Sequence, residues 1–228
     1  MKTPILIAVT LLFGAAVHAQ TTIYATNFES SQESNPGPLP LAGPHWKQKG
    51  TQPFAISSKD GAPDDHILEC RSDASGASAR LWLTGVDFPA GSDKTVFAFV
   101  ARVEKSGSPG FQGNVHVGNF PAAPGIKPET MAAVLSFRGS GRICTFDGDT
   151  EIEVGNWKNG EWMPFRIELD SKAKTFSIYR DEELLAADYA FPDGKATPVC
   201  AFGLNYYSGK DAQKESAIAI DSLQISHP

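Results

Sequence analysis

The sequence is poor in sulfur, has no cluster of basic residues, and beyond its first sixteen positions carries no long apolar run. It contains three cysteines, Cys70, Cys144 and Cys200, and an odd count leaves at least one thiol unpaired within the chain. No histidine stands beside any of them and their spacing is wide, which argues against a thiol nucleophile and against a thiolate metal knot. Twenty basic residues face 26 acidic ones, for a net charge of −6. A mildly acidic chain without basic clusters is a poor partner for nucleic acid or for an anionic lipid surface. It also lacks the long-range field that would gather polyanionic glycans, although one local basic cleft would suffice to hold them. No convincing amphipathic helix is present, and no segment after the N-terminus is apolar enough to cross a membrane.

What is present begins with an export signal. Lys2 supplies a positive start, residues 5–16 are apolar apart from Thr10 and Gly14, and Val17-His18-Ala19 precedes Gln20 with modest side chains. This order matches a secretory signal peptide spanning residues 1–19 and cut after Ala19. An apolar run of about a dozen residues is too short to span a bilayer core of roughly 30 Å. No cysteine follows it, so lipid anchoring is not expected. The expected product is a secreted or periplasmic domain, residues 20–228, not held in a membrane and large enough to bury one core.

Residues 30–64 are rich in turn formers and read as loops around short edge strands. Beyond them, period-2 segments recur between Gly, Pro, Asn and Asp punctuation. In residues 95–103, Phe97, Phe99, Ala101 and Val103 face one way and Val96, Ala98, Val100 and Arg102 the other. Residues 113–120 set Val115 and Val117 against Asn114 and His116. Gly139-Ser140-Gly141 joins residues 132–138 to 142–146 as a hairpin, and Asp181-Glu182-Glu183 joins 174–180 to 184–189. Residues 79–83, 161–169, 199–207 and 217–225 complete the set. Short alternating strands without helices predict an all-β sandwich or barrel.

The run 156–170, which includes Gly160-Glu161-Trp162 and the alternating Phe165, Ile167 and Leu169 up to Asp170, resembles a strand of concanavalin A-like (laminin G-like) jelly rolls. Residues 174–187 resemble the hairpin that follows it in that superfamily. Residues 23–29 and 217–225 resemble its paired terminal strands. The resemblance spans almost the whole of residues 20–228. It implies a two-sheet antiparallel jelly-roll sandwich with a curved glycan-binding face. It also implies a structural Ca²⁺ where the first and last strands meet, and Glu29 and Asp221 occupy the matching strands. The same two residues also read, without any metal, as an ordinary turn acid and a strand-end aspartate.

Two catalytic patterns of that superfamily have partial matches in the sequence. The glucanase strand needs alternating acids aimed into one groove. Glu151-Ile152-Glu153 is the nearest match, lacks the central aspartate and the third acid, and reads as a solvated edge. The polysaccharide-lyase pattern has a partial match, since Asn114-Val115-His116 is similar to the Gln-Ile/Val-His strand of alginate-lyase-like jelly rolls. A lyase would use His116, Tyr207 and Arg102, but the remaining lyase motifs are missing. A binding face would draw on Arg80, Trp82, Arg102, Asn114, His116, Arg138, Asn205 and Tyr207. Trp82 shares a strand face with Arg80 and is expected at the surface, while Trp162 is expected in the core. The leading expectation is a secreted, non-catalytic glycan-binding or accessory domain. The alternatives are a polysaccharide lyase or hydrolase, and a cell-surface protein-interaction domain.

Overall fold

The computed structural model describes residues 20–29, 37–38, 46–62, 64–72, 76–83, 86, 93–105, 110–119, 130–192, 201–209 and 215–228. Cys200 and the proposed signal peptide lie outside them. Among the described residues there are sixteen strands and no α-helix. They are β1 (Thr21–Thr26), β2 (Gly37–Pro38), β3 (Trp46–Gly50), β4 (Ala55–Ser58), β5 (His66–Ser72), β6 (Ser78–Leu83), β7 (Lys94–Lys105) and β8 (Gln112–Gly118). Then follow β9 (Met131–Arg138), β10 (Arg142–Asp147), β11 (Thr150–Asn156), β12 (Trp162–Asp170), β13 (Thr175–Arg180), β14 (Glu183–Ala190), β15 (Ala201–Tyr207) and β16 (Ser216–His227).

Nine strands form one antiparallel sheet in the order β14-β13-β12-β7-β16-β5-β4-β2, with β1 pairing the far half of β16. Seven form the other, β11-β10-β9-β8-β15-β6-β3. The terminal strands β1 and β16 pair as the resemblance implied. The turn-rich region before residue 64 supplies the edge strands β2 and β3 of the two sheets.

Alternation explains why these segments are strands and how they stack. Successive side chains leave opposite faces, so one set meets the facing sheet and the other does not. In β7 the inward set is Phe97, Phe99, Ala101 and Val103, and in β12 it is Met163, Phe165, Ile167 and Leu169. Phe99 packs edge-on to Phe202 of the facing sheet with centroids 5.6 Å apart, and Phe165 meets Phe137 across the same gap at 5.7 Å. Such aromatic pairs add about 1 kcal/mol each beyond the area they bury.

The turns follow their chemistry. Asp181 and Glu182 both take positive φ, 48° and 67°, the two-residue turn whose twist suits a hairpin. Gly141 closes the β9–β10 hairpin at φ 92°. At Gly113 an added Cβ would stand 3.0 Å from Ile218 of the facing sheet. Strand β8, which carries Asn114 and His116, therefore lies close over the core.

Two expectations need correction. Trp162 is not a core residue: it lies on the outer face of the nine-stranded sheet beneath Arg102, whose guanidinium sits 4.5 Å from its ring centroid. Its parity with Pro164 and Arg166, opposite Met163 and Phe165, requires this. Trp82 is not at the surface: although it faces outward, it is only 5% exposed and joins Ala201 and Met131 in a small second apolar cluster.

Candidate functional site

Register places most of the candidate residues on one surface. Across the outer face of the seven-stranded sheet, Lys49, Arg80, Asn205, Asn114 and Ser136 lie opposite one another on β3, β6, β15, β8 and β9. The next row holds Lys47, Trp82, Gly203, His116 and Val134. On the other side of the polar row, Ser78, Tyr207, Gln112 and Arg138 are neighbours. Partners opposite one another point to the same side, so these rows form one patterned face. Gly203 leaves a gap between Trp82 and His116.

The face has an open end and a closed end. Arg80 and Gln112 are exposed, and Asn205 and Tyr207 are half-buried. Asn114 and His116 are buried, His116 to 5% exposure. Neither ring nitrogen of His116, nor Oδ1 of Asn114, has a hydrogen-bond partner among the described residues. Buried polar atoms are nearly always paired, so three unpaired ones at alternate positions of one strand are unusual. Burial holds the His116 pKa down to about 3, and the Arg80 guanidinium adds to the effect. His116 is therefore neutral at physiological pH, with one ring nitrogen able to donate and the other to accept.

Arg102 does not belong to this group. It lies on the outer face of the nine-stranded sheet, 7% exposed. Its guanidinium is ion-paired with Asp60, its Nε is 3.1 Å from Glu104, and Trp162 lies under it. Local alternation gave its direction, but the long-range pairing of β7 decided its sheet. Tyr207 shares the face with His116 but sits two rows away, about 13 Å along the strand direction. Arg138 is at the far side, bonded to Glu151 at 2.9 Å. Glu151 and Glu153 are exposed on edge strand β11, each paired with an arginine, as expected of a solvated edge.

Glu29 and Asp221 do not fit a calcium site. The Glu29 carboxylate accepts from the backbone N–H of His66 and meets its ring Nδ1 at 3.0 Å. Burial alone would raise its pKa, but these bonds, with His66 and Lys59 nearby, hold it below the usual value. Asp221 is the extra residue of a bulge between Ile220 and Ser222 and binds Lys59 Nζ at 3.0 Å. Calcium wants six to eight oxygens. Here both carboxylates have other partners, and no group of three His, Cys, Asp or Glu side chains converges among the described residues.

Sequence reasoning missed a cleft of about 550 Å³ on the outer face of the nine-stranded sheet. Ala25, Ala98, Val100 and Pro164 line it, small outward residues that give no sequence signal. On its wall Arg166 stacks 3.8 Å over the Tyr179 ring and is ion-paired with Glu168 and Glu182. Cys70 and Cys144 are buried free thiols whose pKa values burial pushes up, which favours the protonated thiol.

Two antiparallel sheets in this order, closed by paired termini, form a jelly-roll sandwich. Solved structures with this fold include the Emp47p carbohydrate recognition domain, 11% identical, covering 94% of this chain and 99% of that domain at a TM-score of 0.60. A sialidase matches 85% of this chain at 10% identity and a TM-score of 0.59, and this chain spans only 18% of its length. Alginate lyase A1-II', a member of polysaccharide lyase family 7, matches 76% of this chain and 82% of its own at 12% identity and a TM-score of 0.52. At these identities the likeness is one of fold. No protein-family model matches the sequence, and no curated protein does.

Proposed function

We propose that this chain is an exported glycan-binding jelly roll whose ligand lies across the outer face of the seven-stranded sheet, over Arg80, Asn205, Asn114 and Tyr207. The observation that carries this reading is the row Arg80–Asn205–Asn114 bordered by His116, where buried donors and acceptors lack partners. A sugar offers vicinal hydroxyls that each donate and accept, which suits amide and neutral imidazole groups at one strand spacing. The half-buried Tyr207 ring adds an apolar platform beside the row. The export signal expected from the sequence agrees with a target outside the cytoplasm. Related folds in a carbohydrate recognition domain and a polysaccharide lyase make the reading natural without carrying it.

Binding is favoured over β-elimination by geometry. A lyase needs its carboxylate-neutralising group, base and acid around one sugar ring. Arg102 is on the other sheet, and Tyr207 is about 13 Å from His116 along the strand direction. The test is a polysaccharide array read for both retention and the ultraviolet absorbance of unsaturated uronate ends. Retention without product is expected. Product that disappears in His116→Ala would replace this reading with a lyase, and no retention with no product would favour a protein-interaction domain.

A further inference from the structure

We infer that the glycan held by the seven-stranded face is anionic, and that Arg80, flanked by Lys49 and Lys47, is what selects it. This rests on the glycan-binding reading above and adds the charge of the ligand.

The charges of the two outer faces are arranged differently. On the nine-stranded face, Lys59, Arg71, Arg102 and Arg166 each have a carboxylate within 4 Å. On the seven-stranded face, Lys47, Lys49 and Arg80 form no ion pair with any described residue, although the chain carries a net charge of −6. From β3 across to β9 the outward positions of that face hold no carboxylate among the described residues. The first acids met are Glu151 and Glu153 on β11, already engaged by Arg138 and Arg142.

The three cations are also placed where the polar row begins. Lys49 is opposite Arg80, and Arg80 is opposite Asn205, which is opposite Asn114. Arg80 is exposed, so its planar fork is free to take a carboxylate or sulfate through two parallel N–H···O bonds. Adjacent strands are about 4.8 Å apart, so Lys49 to Asn114 spans roughly 14 Å, room for more than one sugar unit. The influence of Arg80 reaches the buried end of the row, where it disfavours a charge on His116. A protonated His116 would add a second cation inside the site, but it stays neutral and is left to hydrogen-bond hydroxyls. The positive charge is therefore concentrated at the open edge, where it meets the charged group of a ligand whose hydroxyls lie deeper.

Matched polymers test this. Calorimetric titrations would compare polygalacturonate with its methyl ester, and dextran sulfate with dextran, at low and high salt. At least one acidic polymer is expected to bind ten-fold or more tightly than its neutral twin, with the advantage shrinking as salt rises. Arg80→Gln should remove the advantage while circular dichroism and melting stay unchanged, and Arg166→Gln should leave it intact. The two acidic arms separate carboxylate from sulfate as the favoured group. Equal binding of acidic and neutral twins would overturn the inference and leave the glycan reading standing. Acidic preference that survives Arg80→Gln together with Lys47→Gln and Lys49→Gln would also overturn it. Competition by duplex DNA as strong as by the glycan would reassign the face to polyanions in general, and binding of no polymer would remove both readings.

Discussion

The two outer faces of this sandwich are built from the same strand alternation yet differ in how their polar groups are used. On the nine-stranded face, Arg102 is held by Asp60 and Glu104 over Trp162, Arg71 by Glu69 and Glu104, and Arg166 by Glu168 and Glu182 over Tyr179. Lys59 pins the turn before β5 to Asp221. On the seven-stranded face, Arg80, Lys47 and Lys49 have no acidic partner among the described residues; buried polar atoms without a hydrogen-bond partner occur on both faces, at His116 and Asn114 on this one and at Arg102 Nε and Trp162 Nε1 on the other. A face whose charges are satisfied internally is a stabilising surface. A face that leaves its charges unpaired gains no such bracing, and its cations stay open to solvent.

The largest expected difference is in stability. Arg102→Ala would leave the Asp60 carboxylate without its arginine, leave Glu104 with Arg71 alone, and strip one of the two cations from the Trp162 ring. It is expected to cost about 2 kcal/mol, read from denaturant unfolding. Arg80→Ala, exposed and unpaired, should change stability by no more than about 0.5 kcal/mol in the same assay. Equal losses would erase the contrast between the faces.

Acid should separate the faces next. His116 has a depressed pKa, so the fold favours its neutral form. Its contribution is complete above the unfolded value of about 6.5 and is lost as pH falls from there toward about 3. Glu29 and Asp60 also have depressed values, Glu29 through His66 and Asp60 chiefly through the Arg102 guanidinium. Their contributions are present above the ordinary carboxylate range, about 4, and fade as pH falls through their folded values. Melting temperature measured against pH should therefore begin to fall near pH 6.5. His116→Gln should flatten that upper part of the curve and leave the more acidic part in place.

The smallest effect is expected at the edge of the seven-stranded sheet. The Arg138–Glu151 pair is partly exposed, and Glu151→Gln should cost about 0.5 kcal/mol or less. A larger loss would mean that this edge is braced like the nine-stranded face.

Much of this was legible in the sequence, and the failures have physical causes. Directions within strands were readable because a strand alternates strictly: Phe97, Phe99, Ala101 and Val103 are inward in β7, and Asn114 and His116 are outward in β8. The sheet that each strand joins was not readable, because pairing partners are far apart in sequence. That is why Arg102 was grouped with His116 although β7 pairs β12 and β16 while β8 pairs β9 and β15. Strand β5 escaped notice because its outward Glu69 and Arg71 and its inward Cys70 blur the apolar alternation. Trp82 was misplaced because an outward position does not guarantee exposure, and here Ala201 and Met131 pack against it. Glu29 lies just past the end of β1, not within the terminal strand, and Asp221 lies within β16. Nothing local showed that His66 and Lys59, brought in by the turn before β5, would occupy them.

The most direct measurement is nuclear magnetic resonance mapping of backbone amides during titration with a retained oligosaccharide. Shifts confined to β6, β8 and β15, around Arg80, Asn114, His116 and Asn205, are what this account predicts. Shifts centred instead on Ala98, Val100, Phe165 and Arg166 would place the ligand in the cleft of the nine-stranded face and contradict it.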